Sequence, residues 1–99
     1  MNNDEKWMEL AIIEAKLAML ENEVPVGAVL IHKNKLISKA HNQPIQKNDP
    51  SAHAEIQALQ RAGSVLNNYR LLDCALYVTL EPCAMCLCAL MHSRIDKLL

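Results

Sequence analysis

The stretch ALYVTLEPCAMCLCALMHSRI, residues 75–95, predicts a strand, a helix and the start of another strand in close succession. Its first part belongs to a β-branched, aromatic and aliphatic run over 74–80 that is typical of a strand. Pro82 suits the first position of a helix, where its missing N–H is not needed, and the helix is expected to run to about His92. A strand is expected to resume at Ile95. Two strands joined by a helix predict a parallel pair with a right-handed crossover.

The first half of the chain predicts a helix followed by a hairpin. Residues 4–22 are rich in good helix formers and acidic in the first turn. The expected apolar face of this helix comprises Trp7, Leu10, Ala11, Ile13, Leu17, Ala18 and Leu20. Residues 24–42 predict two strands around the polar turn HKNK at 32–35. Gly27, inside the first of these strands, indicates either close packing of the backbone or a ligand nearby.

A second helix is predicted in the middle of the sequence. It follows a polar segment, residues 43–49, that predicts a loop. Asp49 is a good N-cap, Pro50 fits the first helical position, and Gly63 fits the position just past the helix end. Residues 64–73 predict another loop. The predicted order of elements is α-β-β-α-β-α-β, which places the chain in the α/β class.

Length and composition describe one domain with an aliphatic core. The chain has 99 residues, of which 52% are hydrophobic, and this fraction argues against disorder. Its formal net charge of −1 gives no overall basic signature of a nucleic-acid binder. The charge is uneven, because residues 1–30 carry six acidic and two basic groups, whereas residues 31–99 carry five acidic and eight basic groups. The second part can therefore present a modest basic face.

The termini and the hydropathy predict a cytoplasmic protein without a membrane partner. The N-terminus is acidic and polar, unlike a signal peptide, and no apolar run approaches the roughly 20 residues that a membrane span requires. In that compartment clustered cysteines favour metal binding or catalysis over disulfides. Residues 95–99 resemble the opening of a strand at which the sequence stops, so we expect either an edge strand or a fragment of a longer protein.

Two cysteines form the first half of a candidate metal site. Cys83 and Cys86 lie three residues apart, on one face of the predicted helix, and the positive end of the helix dipole favours their thiolates at neutral pH. This spacing fits half of a zinc site, a redox pair or plain packing. Cys88 faces away from this pair by the helical period and is expected to be a small buried residue, as is Cys74.

The segment His53-Ala54-Glu55 supplies candidates for the rest of the site. It lies near the predicted start of the second helix, so His53 can be a third metal ligand. Three protein ligands leave a fourth position for water, which is the geometry of a catalytic rather than a structural zinc site. Glu55 does not share a helix face with His53, but it can reach that water if the helix points its N-terminus at the metal.

The combination of His-x-Glu with Pro-Cys-x-x-Cys resembles the cytidine-deaminase-like superfamily of zinc deaminases. Further segments resemble its tRNA adenosine deaminase branch: EVPVGAVL at 23–30, HNQPIQKNDPSAHAEI at 41–56, NYRL at 68–71, LYVTLEPCAMC at 76–86 and HSRI at 92–95. The resemblance implies a three-layer α/β/α fold with a mixed central sheet. It also implies that residues 1–99 are one zinc-binding domain, incomplete at its C-terminus and truncated at the fourth strand.

The resemblance implies roles for individual residues. One zinc ion per chain is bound by His53, Cys83 and Cys86 and activates water, while Glu55 moves protons between water, the purine ring and the leaving amine. The side chain of Asn42 and the backbone N–H of Ala54 are implied as readers of the base, although Asn42 also suits a turn before Gln43-Pro44. The residues implied as pocket walls are Val26, Leu80 and Pro82.

The resemblance also implies a partner and an assembly. The substrate is the wobble adenosine of a tRNA anticodon loop, which must be turned out of the loop before it reacts to inosine. The candidate phosphate contacts are Lys47, Arg70 and Arg94, with Lys33, Lys35 and Lys39 as further basic residues. The family implies a homodimer, with the helix at 82–92 and HSRI at the interface. Two alternatives remain open: a small-molecule deaminase of guanine, cytosine or a nucleoside, and a non-catalytic zinc or redox module.

Overall fold

The computed structural model describes residues 3–99 and contains helices on both faces of one sheet. In chain order the elements are α1 (Asn3–Leu20), β1 (Gly27–His32), β2 (Lys35–His41), α2 (Pro44–Lys47), α3 (Ala54–Leu66), β3 (Cys74–Val78), α4 (Ala84–Ser93) and β4 (Lys97–Leu98). The predicted order is confirmed, apart from the short helix α2, which lies where a loop was expected.

Within the described residues the sheet has four strands in the order β2-β1-β3-β4. Strand β1 pairs antiparallel with both β2 and β3, and the last pair, β3 with β4, is parallel. The prediction of a mixed sheet with a parallel β3–β4 pair is therefore confirmed. The β1–β2 register shifts between Leu30 and Ile31, which marks a bulge. The β1–β2 turn is shorter than predicted: only Lys33 and Asn34 connect the strands, both at positive φ (49° and 64°), as a type I′ turn requires.

Alternate residues of β1 point to the two faces of the sheet and produce the three layers. Val29 and Ile31 pack with Trp7 of α1, whereas Ala28 and Leu30 pack on the opposite face with α3 residues such as Ala58. The period of two in a strand is the cause of this division. The predicted three-layer α/β/α arrangement is thus confirmed.

Helix α1 buries a narrower face than the sequence suggested. A Cβ atom placed on Gly27 would lie 1.9 Å from the carbonyl oxygen of Ala11 and 2.5 Å from the amide nitrogen of Ala15. The backbones of α1 and β1 therefore touch at Gly27, and only small residues fit between them. Gly27 accordingly has a packing role, while Ile13 and Leu20, predicted in the apolar face, are 51% and 80% exposed.

Three predictions about helix ends are wrong, because α3 begins at Ala54, after both Asp49 and Pro50, and continues past Gly63. Asp49 does not cap α3; its carboxylate accepts hydrogen bonds from the backbone N–H and hydroxyl of Ser51 (2.9 and 2.7 Å), which form a local turn before the helix begins. Gly63 lies inside α3, and the helix ends instead at Asn67, whose φ of 53° is left-handed. Asparagine tolerates that conformation, so it replaces glycine at the end of the helix.

None of the helices within residues 3–99 is long and apolar enough to cross a membrane.

Candidate metal centre

The first half of the site lies at the N-terminus of α3. His53 is the N-cap residue and has an extended backbone (φ −73°, ψ 153°), so its side chain stands just outside the helix. Ala54 and Glu55 follow as the first two helical residues. The N–H of Ala54 donates to Oδ1 of Asn42 at 2.8 Å, and Asn42 belongs to the segment after β2. An amide from another element therefore caps α3 at the point where His53 projects.

The second half lies at the N-terminus of α4. Cys83 is the N-cap residue (φ −75°, ψ 174°), and its carbonyl oxygen accepts the N–H of Leu87 at 2.9 Å. Pro82 therefore precedes the helix rather than beginning it. Cys86, one turn further on, is fully buried, whereas Cys83 is exposed. The two thiols are the first side chains that α4 presents at this edge of the sheet.

The structure brings the two halves together at a size that fits zinc. Nδ1 of His53 lies 3.6 Å from Sγ of Cys83 and 3.5 Å from Sγ of Cys86, and all three ligand atoms lie within 4.8 Å of one another. Tetrahedral zinc with bonds of about 2.0–2.1 Å to nitrogen and about 2.3 Å to sulfur separates the nitrogen from each sulfur by about 3.5–3.6 Å and the two sulfurs by about 3.8 Å. The donor set and its spacing therefore fit a zinc ion with three protein ligands.

The two thiols differ in acidity. The pKa of Cys83 is lowered, chiefly because the backbone N–H of Cys86 donates to its sulfur. Burial raises the pKa of Cys86 to about 12, with a further contribution from the negative charge of Glu55. The prediction that both thiols ionise at neutral pH is therefore wrong for Cys86 without a cation beside it. A metal ion reverses this balance, because a coordinating thiol is deprotonated outright.

Glu55 lies against the ligand cluster and is shielded from solvent. Glu55 is only 4% exposed, and its negative charge adds to the raised pKa of Cys86 and partly opposes the lowering of the pKa of Cys83. The carboxylate therefore lies within electrostatic reach of the metal ligands without being one of the three grouped atoms. Such a position suits a group that exchanges protons with molecules held beside the metal.

The predicted base readers, Asn42 and Ala54, are bonded to each other. Asn42 is 8% exposed, its N–H donates to the carbonyl oxygen of Val26 at 3.1 Å, and its Oδ1 accepts the Ala54 N–H. The Ala54 N–H is thereby occupied, which leaves the Nδ2 amide of Asn42 as the donor of this pair. In this structure the Ala54 N–H is bonded to Asn42, and its reading of the base stays a prediction.

The predicted pocket walls lie in different settings. Val26 is buried in the core, while Leu80 (57% exposed) and Pro82 line a small cavity of about 230 Å³ beside the end of β3. A larger groove of about 940 Å³ runs between α3 and α4 and includes Tyr69 and His92. None of the predicted site residues lines this groove. The candidate site is therefore kept at the His53, Cys83 and Cys86 cluster, although the groove is larger than the cavity beside β3.

The predicted RNA contacts lie around the domain. Nζ of Lys47 donates to the side chain of Gln57, while Arg70 is exposed and its Nε lies 3.2 Å from the hydroxyl of Tyr69. Arg94 terminates α4 in a left-handed conformation (φ 61°). A backbone hydrogen bond of 2.6 Å between Leu71 and Ser93, their respective neighbours, brings the segments of Arg70 and Arg94 together.

The two remaining cysteines, Cys74 and Cys88, differ in their burial. Cys74 is buried as predicted, beside Nδ1 of His32 at 3.4 Å, but Cys88 is exposed, so the prediction of a buried Cys88 is wrong.

Gln57 is a buried polar residue near the site that the sequence analysis did not single out. It is 2% exposed, and its Nε2 donates to the carbonyl oxygen of His41 at 2.6 Å. Its position one turn after His53 on α3 was the available signal.

Comparisons with known proteins agree on one family. The family model described as "Cytidine and deoxycytidylate deaminase zinc-binding region" matches residues 1–99. A tRNA-specific adenosine deaminase of Buchnera aphidicola (subsp. Baizongia pistaciae) is 52% identical over 97 residues, covering 98% of this chain and 60% of that protein. The chain thus spans about three fifths of the length of this relative.

Two solved structures share the fold. A chain from a study of A-to-I editing by tRNA:A34 deaminases at the wobble position of transfer RNA superposes with a TM-score of 0.93 at 44% identity, covering 95% of this chain and 68% of that one. A guanine deaminase from Bacillus subtilis gives a TM-score of 0.93 at 36% identity, covering 99% and 62%. The architecture is therefore that of the cytidine-deaminase-like deaminases.

Proposed function

This chain belongs to the cytidine and deoxycytidylate deaminase zinc-binding family, and we propose that it binds one zinc ion per chain through His53, Cys83 and Cys86. The observation that carries the proposal is the pair of nitrogen–sulfur distances, 3.6 and 3.5 Å, which match those of tetrahedral zinc. The whole of residues 1–99 then acts as one zinc-binding domain, to which the longer relatives add further residues.

We infer that the substrate is the wobble adenosine of a tRNA, which is hydrolysed to inosine with release of ammonia. Support comes from the 52% identical relative, which is named a tRNA-specific adenosine deaminase, and from the structural neighbour studied as a tRNA:A34 deaminase. The partner is then a tRNA anticodon loop, and the place of action is the cytoplasm. A base of that loop must leave its stack to reach a site between two helix N-termini.

The mechanism assigns distinct tasks to the residues of the site. Bound zinc supplies a Lewis acid that makes water a stronger nucleophile. Glu55 takes a proton from the attacking water and delivers protons to the purine ring nitrogen and to the leaving amine, so that water and adenosine give inosine and ammonia. Burial of Glu55 keeps bulk water from competing for these protons. The Nδ2 amide of Asn42 donates to an acceptor on the purine edge, while its Oδ1 holds α3 in place.

The pocket, the RNA contacts and the assembly follow from the same proposal. Leu80 and Pro82 bound the entrance, and Val26 supports it from the core. The proposed phosphate contacts are Lys47, Arg70 and Arg94, and they act through charge rather than sequence. Helix α4 exposes three large apolar side chains, those of Met85, Leu87 and Met91. These side chains support a homodimer in which α4 lies at the interface.

The test is deamination of an anticodon stem-loop with adenosine at the wobble position. The zinc-loaded protein is incubated with this RNA, the RNA is digested to nucleosides, and inosine is measured by chromatography with mass detection. The control is Glu55→Gln, which keeps the volume of the side chain and removes the carboxylate. Inosine at the wobble position from the unaltered protein alone is the expected result, and equal product from both proteins contradicts the assigned role of Glu55.

A second candidate function is deamination of a free purine base or nucleoside. The observation that favours it is the guanine deaminase of Bacillus subtilis, which superposes as closely as the tRNA-acting neighbour. The same zinc-loaded protein is therefore assayed for ammonia release from guanine, cytosine and adenosine. Release from one of these with no inosine in the stem-loop replaces the tRNA proposal. Zinc binding with no turnover of any substrate would instead support a non-catalytic module.

A further inference from the structure

A histidine between two carboxylates joins α1 to the end of β2. Nδ1 of His41 lies 3.0 Å from Oε1 of Glu14, and Nε2 lies 3.2 Å from both carboxylate oxygens of Glu21. The side chains of His41 and Glu14 are 12% and 7% exposed, and that of Glu21 is 33% exposed. We call these three residues the Glu14–His41–Glu21 cluster. Nε2 of Gln43 also donates to Glu21, at 3.1 Å.

The ring of His41 has one nitrogen for each of the two carboxylates. An ionised carboxylate only accepts, and a neutral imidazole has one donor and one acceptor nitrogen. The imidazole of His41 bridges the two carboxylates, because each ring nitrogen lies within hydrogen-bond distance of one of them, and the donor of each bond depends on the tautomer of the ring. The amide of Gln43, followed by His41, holds the pKa of Glu21 below its usual range, which agrees with an ionised acceptor.

The cluster continues directly into the candidate metal centre. The backbone carbonyl oxygen of His41 accepts Nε2 of Gln57 at 2.6 Å, which ties the end of β2 to α3. The next residue is Asn42, whose Oδ1 holds the N–H of Ala54 at 2.8 Å. The imidazole and the amide that caps α3 thus belong to adjacent residues, and α3 begins immediately after His53.

Packing alone does not explain a buried polar cluster at this place. Around Glu14, helix α1 buries small apolar residues, Ala11, Ala15 and Ala18, against the sheet. Removing charges from water costs free energy, and apolar residues of similar volume often stabilise such a place equally well or better. What charged hydrogen bonds add is direction, because they hold the ring in one orientation.

We propose that His41 is a positioning residue: bonded to Glu14 and Glu21, it fixes the end of β2 so that Asn42 holds the first amide of α3. The effect on catalysis rests on the function proposed above, whereas the effect on Asn42 and α3 does not. His41 reaches the reacting atoms only through Asn42, the proposed base reader. Its loss therefore loosens the start of α3 and misplaces the amide that meets the purine.

Hydrogen exchange of one amide tests the structural part without any substrate. As the first residue of α3, Ala54 has no acceptor within its own helix, so its protection reports the bond to Asn42 directly. In His41→Leu, exchange at Ala54 is expected to rise at least about fivefold, the factor for one typical hydrogen bond, while the interior amide of Ala58 is unchanged. Equal exchange at Ala54 in both proteins overturns the proposal.

A second variant separates positioning from packing. His41→Leu alone removes the ring from the buried carboxylate of Glu14, while Glu21 keeps its bond from Gln43, and this loss can unfold the protein. Glu14→Leu/His41→Leu therefore replaces the buried pair with apolar side chains. The double variant is expected to regain thermal stability and yet keep the fast exchange at Ala54, since it lacks the directional bonds. Restored protection at Ala54 would show that volume alone holds the segment, and would overturn the proposal. The matched control is His32→Leu, a half-buried histidine that ends β1 beside Cys74; it is expected to leave Ala54 unchanged.

A double-mutant cycle tests the link to catalysis. His41→Leu is expected to lower kcat/KM for the stem-loop about tenfold in the unaltered background and less than twofold in the Asn42→Ala background, because both changes remove the same function. Fully additive losses would show that His41 acts independently of Asn42. If no variant, nor the unaltered protein, deaminates the stem-loop, the proposed function fails, and the exchange at Ala54 still decides the positioning role.

Discussion

The N-termini of α3 and α4 meet at the candidate metal centre but are built differently. At α3 the proposed ligand His53 is followed by an amide that Asn42 caps from another element, with Gln57 buried behind it. At α4 the cap residue, Cys83, is itself a proposed ligand, and within residues 3–99 no side chain of another element bonds the first amides of that helix. The start of α3 is thus held by a side chain from another element, whereas the start of α4 has no such bond among the described residues.

The largest effect is expected from breaking the α4 half. Cys86→Ala removes a buried ligand and should lower zinc affinity at least about 100-fold, more than the loss of a supporting residue around a metal ligand. Deamination should fall with zinc content. Zinc per chain is measured by mass spectrometry after dialysis. Stoichiometric zinc in Cys86→Ala would show that another residue completes the site.

The next largest effect is expected on the deamination rate, from a change at the start of α3 that leaves zinc binding intact. Glu55→Gln is expected to keep one zinc per chain and to lower the deamination rate by about 10²–10⁴-fold, the range for a lost general acid–base. Rates are measured at saturating stem-loop, so that binding does not contribute. A rate within a factor of a few of the unaltered protein would remove Glu55 from the proton transfers.

A smaller effect should reveal how α3 is capped. Asn42→Ala removes the acceptor of the Ala54 N–H and should lower the free energy of unfolding by about 1 kcal/mol, as the loss of an N-cap does. Asn42→Asp retains an acceptor and should keep most of that stability while losing the Nδ2 donor proposed to read the base. Urea unfolding of both variants measures the difference. Equal stability losses would show that the bond does not support the helix.

The smallest effect is expected at the third cysteine of α4. Cys88 is exposed and lies outside the grouped ligand atoms, so Cys88→Ser should change the free energy of unfolding by less than about 0.5 kcal/mol and leave zinc binding unchanged. The measurements are urea unfolding and zinc titration. A weakened zinc affinity would mean that Cys88 takes part in the site after all.

Spacing and element order were enough to place the ligands. Both motifs stand where a helix begins, so the predicted order of elements brings His53 to the same region as Cys83 and Cys86, and the structure shows the three within 4.8 Å. The parallel β3–β4 pair was also predictable, because the strand–helix–strand unit is a local feature, whereas the mixed sheet and the three layers were implied by the family resemblance.

The predictions that were wrong concern features that depend on contacts between residues distant in the sequence. The capping of α3 by Asn42 spans 12 residues, so Asp49, the better cap by sequence, was predicted instead. The buried face of α1 follows from the close approach at Gly27, which favours alanine over the larger apolar residues that periodicity pointed to. The exposure of Cys88 depends on which side of α4 meets the domain. No local pattern contains this information.

The most direct test of the account is X-ray absorption at the zinc edge of the zinc-loaded protein. We predict two sulfur ligands at about 2.3 Å and two light ligands at about 2.0–2.1 Å, of which one has the outer-shell signature of a single imidazole. This result matches His53, Cys83 and Cys86 with one position open to solvent or substrate. A third sulfur, a second imidazole or no sulfur would contradict the three-ligand site on which the proposed chemistry rests.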